Sequence, residues 1–253
     1  MAVDHPPEDL TLPRILCLHG GGVNSETFRA QARSIIRALP DFRLVFADGP
    51  FFCAPGPGIV PVYEDWGPFR RWLRWLPEHA EIDDEAAIEE VNYAIETVKR
   101  EDEGTGAWVG LLGFSQGAKL ASSLLYEQQI REEKLGEAET EYKFAVLLAG
   151  RSPIVSFSEL TRSPACVAAG AISEGFHYEG ESPHVLRLPT IHVHGLNDQG
   201  LHLHRKMLNQ YHDPNTATVI EWDGIHRVPI KKVDVQPIAD AIYRIAREQG
   251  VQC

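Results

Sequence analysis

A chain of 253 residues, 43% hydrophobic and 24% charged, holds enough apolar material for a sizeable core. Its formal net charge of −12 disfavours polyanionic partners, so neither nucleic acid nor an anionic membrane surface is expected. The acidic start Met1–Leu10 lacks the basic flank and apolar stretch of a secretory signal, and no run of about 18 apolar residues offers a membrane span. Four scattered cysteines (Cys17, Cys53, Cys166, Cys253) read as thiols of a reducing cytoplasm.

Arg14–Leu18 is a short buried strand that runs into the glycine turn His19–Asn24. A helix is predicted from about Ser25 to Leu39, where Pro40 stops it, and a second strand over Arg43–Asp48. Gly49–His79 is rich in proline, glycine and aromatic residues and too long for a plain connection, so it reads as a lid or pocket wall. The alternative is a surface excursion with its own small core. Asp84–Arg100 has acids at its start, bases at its end and Ile88, Val91, Ile95 and Val98 on one face, which predicts an amphipathic helix.

Trp108–Lys119 organises the rest. An apolar strand ends at Gly113-Phe114-Ser115-Gln116-Gly117, and a helix reaching about Glu133 begins at once. This is the G-x-S-x-G elbow, in which the serine sits on a tight strand-to-helix turn and its flanking positions have little room for a Cβ. Phe144–Ala149 is another strand, 150–189 is loop-rich with one possible short helix, and Thr190–Gly195 and Ala217–Trp222 complete the strands. A last helix is predicted near Val233–Gln249. Alternating strands and helices give one α/β domain over 1–253, its mostly parallel sheet of about six strands covered on both faces.

A serine hydroxyl needs a base, and the base needs an acid that fixes its tautomer. Strand ends offer Ser115, Asp198 and His226 in the chain order of an α/β hydrolase, as nucleophile, orienting acid and general base. The N–H groups of Gln116 and Gly21 would form the oxyanion hole. Asp223 competes weakly for the acid role because it shares a loop with His226. His19 reads as a residue that shapes its own turn. His192, His194, His202 and His204 suggest a metal site only faintly, lacking a diagnostic spacing, and no metal or cofactor is expected. Cys17 and Cys166 have no strong claim as nucleophiles. Tyr63, Trp66, Phe69, Trp72, Phe176 and Val228 are candidates to line the substrate cleft.

Leu16–Gly20 with Asn24 and Phe28, the Asp48-Gly-Pro50 and Pro55–Gly58 segments, Gly113–Gly117, His194–Asp198 and Gly224–His226 together resemble the fungal serine hydrolase (FSH1-type) family of α/β hydrolases. The resemblance covers nearly the whole chain and puts that family's triad on Ser115, Asp198 and His226. Its first oxyanion donor falls on Gly21, with Gly22 as the neighbouring alternative. It implies a carboxylic-ester or thioester hydrolase, similar to the thioesterases that release polyketide chains from their synthases. The substrate would then be an acyl chain presented by a synthase carrier domain and resolved by water through an acyl-serine. Transfer of the acyl group to another acceptor, a small-ester carboxylesterase, and a non-catalytic binding protein on the same scaffold are the alternatives.

Overall fold

The computed structural model describes residues 9–173 and 175–253; the first eight residues, on which the reading of the N-terminus largely rests, lie outside them. Six strands form one sheet: β1 (Arg14–Leu18), β2 (Arg43–Ala47), β5 (Trp108–Phe114), β6 (Phe144–Leu148), β9 (Thr190–Gly195) and β10 (Ala217–Trp222). Their spatial order is β10-β9-β6-β5-β1-β2, and every neighbouring pair is parallel. The strands read as continuous apolar runs because both of their faces are buried. On β1, Leu16 and Leu18 join one core while Ile15 and Cys17 join the other. On β6, Ala145 and Leu147 point one way and Phe144, Val146 and Leu148 the other.

Helices α3 (Asp84–Glu101), α4 (Gln116–Leu135) and α5 (Leu201–Tyr211) close the first core, and α1 (Ser25–Gln31), α2 (Arg33–Ala38) and α6 (Lys232–Glu248) the second. Each fully buried aliphatic side chain in these layers contributes about 1.5–3 kcal/mol. The start of α3 is set by Asp83, whose carboxylate accepts the Ala86 N–H at 2.9 Å.

Several expectations need correction. The single helix predicted over 25–39 bends at Ala32 into α1 and α2, although the bonds from Ala32 N–H to the Phe28 carbonyl and from Ile36 N–H to the Ala32 carbonyl run through the bend. No helix forms in the described part of 150–189. That stretch holds the two-residue strands β7 (Val155–Ser156) and β8 (Val167–Ala168), tied down by side chains such as Ser123, whose Oγ accepts the Val155 N–H. Helix α5 was not anticipated.

The segment 49–79 carries an antiparallel hairpin of β3 (Phe51–Cys53) and β4 (Phe69–Arg71). It also has a small core of Val23, Ile59 and Phe69, with Tyr63 and Trp66 packed on it. No helix among the described residues is long and apolar enough to cross a membrane.

Candidate active site

The elbow is built by sterics. A Cβ on Gly117 would lie 1.9 Å from the Leu18 carbonyl oxygen, and one on Gly113 would lie 2.2 Å from the Gly117 oxygen. Only glycine lets β5, α4 and the end of β1 come this close. Ser115 between them has φ 53° and ψ −110°, a left-handed conformation that L residues rarely adopt. Its N–H donates to the Leu148 carbonyl at 2.8 Å, which pins the strained turn to the end of β6.

Three strand ends then converge. His226 Nε2 lies 2.9 Å from Ser115 Oγ, and His226 Nδ1 lies 2.6 Å from Asp198 Oδ2. Asp198 is buried, and its Oδ1 accepts the Gly200 N–H at 2.7 Å. Burial pushes the Asp198 carboxyl upward, but the Gly200 N–H and the His226 ring outweigh it and hold the group below the ordinary carboxylate value. Burial, then the Arg151 guanidinium, lowers His226 against the pull of Asp198, so the ring is neutral near pH 7 and able to accept a proton. Asp223 is engaged elsewhere, accepting from the Asn197 amide at 2.6 Å.

The glycine turn is equally specific. The Gly22 N–H donates to the Arg70 carbonyl at 2.9 Å, while among the described residues the Gly21 and Gln116 N–H groups have no hydrogen-bond partner. Gly22 has φ +77°, and its carbonyl accepts the Gly56 N–H at 2.9 Å, which ties the Pro55–Gly58 segment to this turn. His19 is buried, with Nε2 accepting the Gly49 N–H and Nδ1 therefore donating to the Gly20 carbonyl. Burial lowers its pKa to about 4, in keeping with a neutral ring that shapes the turn.

Two contributors were missed in the sequence. The Gln116 side chain accepts the Trp72 and Leu73 N–H groups at 2.7 and 3.1 Å and donates to the Leu73 carbonyl at 3.0 Å. It thus straps the segment after β4 onto the elbow. The half-buried Trp75 lies so close over Gly21 that a Cβ there would meet its ring at 2.7 Å. Neither role has a motif; only the unusual tryptophan density of 66–75 hinted at the second.

Of the residues expected to line the cleft, Tyr63 and Trp66 are half-exposed and meet edge to face at 5.1 Å. Phe176 is half-buried and packs against the first core. The other three are core residues. Trp72 is fully buried, its indole N–H donating to the His19 carbonyl; Phe69 belongs to the hairpin's own core; Val228 belongs to the second. Apolar character alone does not separate a pocket wall from a core.

Histidines line up behind the triad. The rings of His226, His204, His194, His192 and His212 follow one another at centroid separations of 6.1, 5.6, 5.9 and 4.4 Å. His204 Nε2 lies 3.5 Å from Asp198 Oδ2, and the ligand atoms of Asp198, His204 and His226 all fall within 4.8 Å. Of the four histidines that faintly suggested a metal site, His204 is the one that meets Asp198 and His226. The guanidinium of Arg151, 3.8 Å from Asp198 Oδ1, disfavours a dication there. At the far end, Ser122 Oγ lies 3.1 Å from His212 Nε2. That pair is buried and has no carboxylate behind the ring, whose Nδ1 instead meets the Met207 carbonyl.

Residues 10–238 match the family described as "Serine hydrolase (FSH1)". The chain is 49% identical over 250 residues to esterase citA of Monascus ruber, covering 96% of this chain and 95% of that protein. It is 48% identical over 251 residues to esterase claE of Penicillium crustosum, covering 95% of each. Among solved structures it resembles acyl-protein thioesterase 2 of Zea mays, with TM-score 0.58, 15% identity and coverage of 95% and 96%. It also resembles a Bacillus cereus carboxylesterase, with TM-score 0.53, 17% identity and coverage of 95% and 92%. At such identity the two structures speak for the fold alone, that of the α/β hydrolases.

Proposed function

The chain belongs to the serine hydrolase (FSH1) family, and from that premise we propose that it cleaves an acyl thioester or carboxylic ester through an acyl-Ser115 intermediate. The observation that carries this reading is the unbroken contact from Ser115 Oγ through the His226 ring to Asp198. Ser115 Oγ attacks the acyl carbonyl carbon while His226 Nε2 takes the hydroxyl proton. The tetrahedral oxyanion is held by the N–H groups of Gly21 and Gln116, each worth about 2.7–4 kcal/mol in comparable sites. Collapse expels the thiolate or alkoxide, which leaves with the proton from His226. Water then attacks the acyl-serine as His226 takes its proton, and the second collapse returns that proton to Ser115 Oγ and frees the acid. Asp198 stabilises the imidazolium in both halves.

The half-exposed rings of Tyr63, Trp66 and Trp75 favour an apolar acyl chain, and we assign segment 49–79 the part of pocket wall within one catalytic domain. An acyl chain of polyketide type on a synthase carrier suits this wall and this chemistry. A fluorophosphonate probe is expected to label the protein and to fail on Ser115→Ala; labelling that survives would remove Ser115 as nucleophile. A panel of acyl N-acetylcysteamine thioesters, followed by free thiol and by product mass, separates hydrolysis from transfer. Free acid is expected, and a product joined to an added alcohol or amine would make the protein an acyltransferase.

A further inference from the structure

Two basic side chains stand beside the triad, and among the described residues no carboxylate is free to match them. Lys119, one helical turn beyond the nucleophile, is only 6% exposed, and its Nζ donates to Ser173 Oγ at 2.8 Å. Among the described residues no carboxylate lies within ion-pair distance of it. Arg151 follows β6. Among the described residues its nearest acid is Asp198 Oδ1 at 3.8 Å, an oxygen that already accepts the Gly200 N–H, on a carboxylate that already holds His226. The Arg151 Nε is sealed from solvent with no partner, although 40% of the side chain is exposed.

The two share one place in the fold. The Arg151 guanidinium lies against Gly200, its atoms 2.7–2.9 Å from where a Cβ would stand. Gly150, the residue before it, lies so close to Ala118, the residue before Lys119, that a Cβ added at Gly150 would stand 3.2 Å from the Ala118 Cβ. Burial and then Arg151 hold the Lys119 ammonium down to about 7, and the same guanidinium acts on the His226 ring. Withdrawing an ammonium from water costs several kcal/mol unless an anion faces it. In a chain of net charge −12, a buried amine that an anion would help to charge and a guanidinium with an unpartnered Nε, both unmatched by a free carboxylate among the described residues, are arranged for an anion that arrives with the ligand.

We infer that Lys119 and Arg151 form an anion-binding subsite for an acidic oxygen group of the substrate, beside the scissile carbonyl. That group is either a carboxylate on the acyl chain or a phosphate on the leaving-group arm. The inference rests on the serine-hydrolase reading above and deepens it by naming a substrate class.

The test compares four thioesters, valeryl and glutaryl on N-acetylcysteamine and on coenzyme A, by kcat/KM. Wild type is expected to favour an anionic member at least tenfold. Arg151→Met and Lys119→Met should bring that ratio to within about twofold of unity, while Lys119→Arg retains it. Collapse of the glutaryl-to-valeryl ratio places the anion on the acyl chain; collapse of the coenzyme A ratio places it on the leaving arm. Should Lys119→Met fail to fold, the half-exposed Arg151→Met decides alone. A wild type without preference, or a preference that survives in both methionine variants, overturns the subsite. If neither turnover nor phosphonate labelling occurs, the hydrolase reading fails separately. Calorimetry of glutaramate against valeramide, and of phosphopantetheine against pantetheine, on Ser115→Ala then decides the subsite. Binding of an anionic member at least tenfold tighter than its neutral counterpart, lost with Arg151→Met, supports it; equal binding within both pairs overturns it.

Discussion

His226 lies between a carboxylate that favours its charged form and a guanidinium and buried walls that oppose it, and the opposing side prevails. A general base with a lowered pKa stays unprotonated further into acid, so the acidic limb of kcat/KM is expected below the ordinary imidazole value of about 6.5. Removing Arg151 takes away one of the two lowering influences. In Arg151→Met the limb should therefore move to higher pH, as read from the pH profile of a neutral thioester; an unmoved or lowered limb would contradict this account. The triad was legible in the sequence because each member sits in a short motif at a strand end: Gly113–Gly117, Asn197-Asp198, and Gly224–His226. Arg151 was not, since its meaning depends on the turn after β9 folding back beneath its guanidinium.

Between residue and domain, the elbow and its strap decide whether the site assembles. Gln116 makes three hydrogen bonds to the chain after β4, holding Trp75 over Gly21. Gln116→Leu leaves the Trp72 and Leu73 N–H groups unmatched at a cost of about 1–3 kcal/mol each. It is expected to fold, to lower the denaturation midpoint and to reduce kcat about tenfold or more, as read by urea titration and by steady-state turnover. Gly117→Ala should be far worse, because its methyl group would have to occupy the space of the Leu18 carbonyl; soluble, labelled protein from that variant would refute the steric argument. The six strands and most helices were visible because aliphatic periodicity marked them. Helix α5 escaped because its buried positions are His204, Met207 and Tyr211 in place of aliphatic residues. The two short strands within the loop-rich 150–189 stretch escaped because it is ordered by side-chain bonds to distant residues, such as Tyr211 Oη donating to the Ala165 carbonyl, which no local pattern encodes.

Across the whole molecule, the row of histidines makes the fold sensitive to acid. Burial lowers His194 and His212 to about 4 and His204 to about 3, and it drives His192 well down, with neighbouring rings adding to the effect. In the unfolded chain these rings titrate near 6.5. Below that pH the unfolded state binds protons that the folded state refuses, so stability is whole above about 6.5 and falls as pH drops toward 4. The slope is about 1.4 kcal/mol per pH unit for each ring. Urea unfolding at pH 7.5, 6.0 and 5.0 is expected to reveal this loss, and a flat profile would mean that the rings are protonated or hydrated in the fold. His194→Leu removes one titrating ring whose Nδ1 has no partner, and it should lessen the slope by one ring's share. Its effect on kcat should be small, because His194 touches neither Ser115 nor Asp198, whereas His204→Leu alters the surroundings of the Asp198 carboxylate and should disturb turnover as well. A variant pair that separates acid stability from turnover in this way would locate the boundary between the row's structural end and its catalytic end at His204.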